Sequence, residues 1–231
     1  MSDRDALESR ERAREQVERL RWLVALRWVA VAGIAVSDLF TQIVGYTQSD
    51  LLLPWIVAPL ALGYNLAFLL WLRRIERGQA PLDRVERHLR WNLYLQALCD
   101  IVAMSLLVYL NGGIEYPLFY APLLAVMLSG LLLPRAGVFI QANVGAALFT
   151  TMALAEYQGW IPHIPFLSPE YQHNLHSDLR AALGTSLSMV GVLNVMAFLI
   201  SSLGLRLRRA EARVRDLLWQ LREQVGEAAN R

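Results

Sequence analysis

The chain has 231 residues, of which 55% are hydrophobic and 18% charged, and its mean hydropathy is +0.34. A soluble domain of this length carries a larger charged surface, so the composition excludes an ordinary soluble core, and a net charge of +2 gives no reason to expect a nucleic-acid partner. All 22 basic residues are arginine, which excludes lysine Schiff-base chemistry, and the single cysteine, Cys99, excludes an internal disulfide.

Residues 1–22 are densely charged and no apolar run precedes Leu23, so no cleavable signal peptide is expected. Asp5 to Trp22 reads as a solvated or interfacial helix with favourable Glu8–Arg12 and Glu15–Arg19 pairs. A bilayer core about 30 Å thick needs roughly 20 apolar helical residues. Leu23–Val44 and Leu51–Leu72 meet that length. Leu93–Leu110 is shorter and carries Gln96, Cys99 and Asp100. Leu118–Leu133 is the shortest, Ala136–Ala155 follows after only Pro134 and Arg135, and Ala181–Leu205 is the last. The expected fold is all-α: an integral membrane six-helix bundle over 23–205, preceded by the N-terminal helix 1–22 and followed by a stalk over 206–231.

Arginines set the orientation, because basic residues resist translocation and mark cytoplasmic loops. All of them except Arg180 fall before or at the opening of the first run, between the second and third, between the fourth and fifth, or after the sixth. Both ends are therefore expected in the cytoplasm. The opposite face holds Gly45–Asp50, Asn111–Pro117 and Glu156–Asp178, which are net acidic. In the last segment, Leu207, Val214 and Leu221 repeat at seven, as do Ala210, Leu217 and Gln224. Two interleaved heptad series form a coiled-coil seam, favoured here over an amphipathic tail on the inner leaflet, and pairing it with a second copy makes a homodimer. Helices 1–3 and 4–6 share no repeat, which disfavours an inverted-repeat transporter.

Ionisable groups inside a bilayer are functional candidates. Asp38 lies near the outer end of the first run and reaches water on its plainer reading. Asp100 lies deeper and needs a polar partner, for which Asn65, Asn143 and Asn194 are candidates; a helix–helix contact is its plainer role and sensing the sharper one. The outer turn from Asn111 to Pro117 reads as a tight hairpin. The sharper alternative is a headgroup-level pocket for a quinone or similar amphiphile, bounded by Glu115, Tyr116 and Tyr120. The long outer loop offers Glu156, His163, His173 and His176. Imidazole and carboxylate suit a divalent metal, but the spacings match no standard ligand set, so a solvated loop is the default. No phosphate-binding loop, nucleophile elbow or haem signature occurs, and no enzymatic centre is expected within these residues.

Three stretches carry a family likeness: Cys99-Asp100-Ile101-Val102, the turn Asn111-Gly112-Gly113-Ile114-Glu115-Tyr116-Pro117-Leu118, and Glu156-Tyr157-Gln158-Gly159-Trp160-Ile161-Pro162-His163. Together they resemble the membrane input region of bacterial sensor histidine kinases, especially the redox-sensing six-helix type. In the quinone-responsive members that turn is implicated in ubiquinone binding, so the resemblance implies Gly112, Gly113, Glu115 and Pro117 as a quinone pocket. Tyr116 stands where a small polar residue is usual, and Leu118 where phenylalanine is common. Glu227-Ala228-Ala229-Asn230-Arg231 is similar to the lead-in to a phospho-acceptor helix. Residues 1–231 hold neither that helix nor an ATP-binding domain; either the sequence is part of a longer protein or the catalytic part is separate. His88, in an arginine-rich inner loop, has the wrong context for a phospho-acceptor.

The resemblance implies a sensor in the bacterial inner membrane, with the lipid bilayer, a second copy and a cytoplasmic histidine kinase as partners. The alternatives are a stand-alone quinone- or metal-binding membrane protein and a sensor coupled to a nucleotide cyclase.

Overall fold

The computed structural model describes residues 17, 18, 20–22, 24–29, 32, 33, 36, 39, 40, 43–45, 52–77, 82–116, 118–165 and 174–229. Asp38, Pro117 and His173, and the proposed N-terminal helix up to residue 16, lie outside them. Every described residue is helical or in a turn or connection, with no strand among them. The described residues of 17–43 are helical and are called α1. Then follow α2 (Leu52–Arg77), α3 (Leu82–Leu110), a 3-10 turn at Gly113–Glu115, α4 (Pro122–Gly130), α5 (Arg135–Tyr157), a 3-10 turn at Leu175–Ser177 and α6 (Leu179–Ala229).

Three of these helices contain stretches long and apolar enough to cross a membrane: Arg87–Leu110, Arg135–Tyr157 and Leu179–Val214. Many of their large side chains face outward, as Ile140, Leu187 and Val195 do, because lipid rather than water is their solvent.

The main core lies where α5 packs against α6 and α3, with α4 wedged among all three. Without a hydrophobic drive between helices in lipid, close approach depends on small residues. Helix α5 supplies them: Gly137, Ala142, Gly145, Ala146 and Ala153 are buried. A Cβ at Gly145 would stand 2.8 Å from the Ile101 side chain of α3, so the two backbones approach as closely as glycine permits. Ser129 of α4 bonds Gln141 of α5, whose Nε2 donates to the Ala97 carbonyl of α3 at 2.9 Å, and this ties three helices inside the membrane. A second apolar cluster joins Leu20 of α1, Leu72 of α2 and Leu89 of α3.

Two expectations need correction. The fourth run is helical only over Pro122–Gly130 rather than Leu118–Leu133. Pro122 fits the first turn, and the approach to it is wound by i→i+3 bonds, such as Ala121 N–H to the Leu118 carbonyl at 2.8 Å. The third run, expected over Leu93–Leu110, is part of a longer helix, Leu82–Leu110, which takes in Arg84, Arg87, His88 and Arg90 of the arginine-rich segment before it. Helix α6 is continuous over 51 residues, about 76 Å at 1.5 Å per residue, of which a bilayer core needs only about 20 residues. The helix is thus long enough to cross a bilayer core and continue beyond it as a rod.

Candidate functional site

Two polar clusters stand out, one inside the bundle and one at its outer end. The inner cluster centres on Arg27 of α1. Leu20, Val24 and Arg27 are buried on one helical face, spaced four and three residues apart. On α3, Asn92, Gln96 and Asp100 follow each other at four-residue spacing and are buried too. The faces meet: Arg27 Nη2 lies 2.7 Å from Asp100 Oδ2, with both side chains at most 6% exposed. Arg27 Nη1 donates to Gln96 Oε1 at 2.8 Å and to Asn65 Oδ1 of α2 at 3.2 Å. Tyr64 donates its hydroxyl to Asp100 Oδ1 at 3.1 Å. One charged pair thus holds three helices by charge-assisted hydrogen bonds.

The structure therefore gives Asp100 partners that the sequence reading did not name. Asn65 joins the cluster through Arg27. Asn143 and Asn194 instead meet across α5 and α6 at 3.4 Å, the first exposed and the second half-buried. Arg27, read from sequence as an orientation marker, is the counter-ion.

The outer cluster is built by three segments. Gly112 (φ 103°) and Gly113 (φ 58°) turn the chain out of α3 in left-handed conformations that favour glycine. A Cβ on Gly113 would collide with the Glu156 carboxylate, so this turn packs its bare backbone on the end of α5. Glu115 closes the turn and faces the other two segments. Its Oε1 lies 2.9 Å from His176 Nδ1 and accepts the His176 backbone N–H at 3.3 Å. His163 Nε2 stands 3.9 Å from Glu115 Oε2, and His163 Nδ1 is 3.3 Å from Glu156 Oε1. The two imidazoles stack, with centroids 3.8 Å apart and planes 7° from parallel. Glu156 is fully buried, and its Oε2 has no hydrogen-bond partner. Burial pushes the Glu115 carboxyl up, but the hydrogen bonds from the His176 side chain and backbone, with His163 nearby, outweigh it and hold the group below its ordinary value.

The cluster draws on residues that sequence reading had divided between two sites. Glu115 belonged to the amphiphile pocket and Glu156, His163 and His176 to the metal set. The tyrosines go elsewhere: Tyr116 is buried in the main core, and Tyr120 bonds Ser188 of α6 at 3.0 Å.

A family model described as the PilS-like transmembrane domain, a six-helix membrane domain, matches residues 10–214. The chain belongs to the PilS-like transmembrane domain family. It is thus a multi-pass membrane protein of the PilS-like six-helix class, and the matched residues include both clusters and the start of the rod. No curated protein and no solved structure is matched by the chain. Within the PilS-like domain, His176 of the outer cluster lies three residues before Leu179, where α6 begins.

Proposed function

We propose that this PilS-like domain is the membrane sensor module of a bacterial histidine kinase, carried in the inner membrane with both termini in the cytoplasm. The observation that carries this reading is one of continuity. Glu115 grips His176, which lies three residues before Leu179, the first residue of an unbroken 51-residue helix. A stiff rod transmits rotation or translation at one end to the other, and a bundle with two packing states close in energy is biased by whatever binds one of them better. PilS itself is a histidine kinase sensor. The module catalyses no reaction; its output domain carries the phosphotransfer.

The rod has a surface suited to a second copy. Leu207, Val214, Leu217 and Leu218 are each about half exposed in the single chain, and Ala210 is exposed beside them. Leu221 continues the series as a helical residue whose side chain lies outside the description. In the dimer these positions form the parallel seam. The quinone-sensing reading of the Gly112–Gly113 turn remains a finer version of the same proposal.

Single cysteines at Leu207, Val214 and Leu221, in a Cys99→Ser background and in native membranes, test the seam. Inter-chain disulfides are expected at these three positions, and much less at Arg209 and Arg213 on the flank. Equal yields at all five, or none at any, would overturn the paired rod.

A further inference from the structure

The outer cluster has the chemistry of a metal site, and we infer that Glu115, His163 and His176 bind one divalent cation of the zinc class. This goes beyond the sensor reading and stands on the geometry of the cluster alone. One donor atom from each of the three residues lies within 4.8 Å of the others. Zinc bonds of about 2.0–2.2 Å in a tetrahedron separate ligand atoms by roughly 3.3 Å. The closest pair, Glu115 Oε1 and His176 Nδ1, is 2.9 Å apart, and Glu115 Oε2 and His163 Nε2 are 3.9 Å apart. To share one ion the two stacked imidazoles must turn out of their parallel arrangement so that both lone pairs meet at it, and the ion displaces any proton on His176 Nδ1 that now bonds Glu115.

Glu156 adds what an imidazole ligand needs. In the tautomer in which Glu156 accepts from His163 Nδ1–H, the Nε2 lone pair is left facing Glu115. Carboxylate–histidine–metal relays of this form orient the ring and raise its basicity. Glu156 is a positioning residue here. Charge points the same way. Two acidic side chains, one wholly buried with an unpartnered oxygen, face two imidazoles, and among the described residues no arginine side chain bonds either carboxylate. A dication held by Glu115 and the two imidazoles suits a cluster whose carboxylates have no arginine partner among the described residues. Three protein ligands leave one tetrahedral position for water, an open coordination site rather than a closed structural one. The ligands come from the turn after α3, the loop after α5 and the turn before α6, so one ion would staple three segments together.

The test uses the full chain in nanodiscs, with any affinity tag removed, stripped with chelator and titrated with zinc chloride by calorimetry and elemental analysis. One zinc per chain is expected. His163→Gln with His176→Asn should abolish that binding, and Glu156→Gln should weaken it about 10- to 100-fold, the usual cost of losing an orienting carboxylate. His88→Gln, near the start of α3 where the ring contacts the Arg84 carbonyl one turn back, should leave it unchanged. Zinc should also raise the thermal midpoint of the wild type and not that of the double variant. A folded wild type that takes up no zinc, or whose uptake survives the double substitution, would overturn the site.

Discussion

Replacing Arg27 by alanine is expected to destabilise the membrane domain by about 3–5 kcal/mol, the usual cost of breaking a buried ion pair from one side. The side chain is 4% exposed, and its removal strands Asp100, Gln96 and Asn65 together. Asp100→Asn should cost a comparable amount, because it leaves the guanidinium in the bundle without a counter-charge. In hydrocarbon the penalty has no ready escape, since water is not available to solvate what remains. The double variant Arg27→Met, Asp100→Leu removes both charges and keeps the volume, and should recover most of the loss. Unfolding in mixed micelles of rising denaturing-detergent fraction reads all four proteins. Single variants within about 0.5 kcal/mol of wild type, the ordinary scale of surface changes, would show that the pair holds nothing together.

The second large effect belongs to the rod. Leu205→Pro removes a hydrogen bond and sets its ring against the carbonyl of Ser201, at a cost of about 3 kcal/mol or more and with a kink. Leu205 is 39% exposed, so little packing is lost with its side chain. If α6 works as one lever, the kink uncouples the seam from the membrane bundle. The disulfide yield at Val214→Cys should then fall several-fold in Leu205→Pro, whereas Leu205→Ala should keep the parent yield. Equal yields in the two variants would mean that the stalk pairs without reference to the helix that feeds it.

Apolar runs gave the elements well, because a bilayer imposes length and internal hydrogen bonding on whatever crosses it. They overran at α4, since hydropathy does not register that the chain enters Pro122 through i→i+3 turns and leaves at Gly130. Arg27 was misread because basic residues near an apolar run ordinarily mark a cytoplasmic end. The corrective signal was present in its spacing: Arg27 shares a face with Leu20 and Val24, and across from it Asn92, Gln96 and Asp100 make a polar ladder at four-residue intervals. The outer cluster was half legible. Single residues were named, but Glu115 is 48 residues from His163 and 61 from His176, and no spacing rule reaches across two helices. Only the docking of α3, α5 and α6 makes them neighbours.

The seam and the lever both require that α6 carry its arginine-rich end to the cytoplasmic side while Glu115 and His176 stay on the other. Paired alkaline phosphatase and fluorescent-protein reporters, fused after Arg231 in one set and inserted after Trp160 in another, measure this directly in intact cells. The account predicts fluorescence and no phosphatase activity at Arg231, with the reverse at Trp160. Phosphatase activity at Arg231 would contradict it, since a rod emerging beside the outer cluster could not carry a change from that cluster to a cytoplasmic kinase.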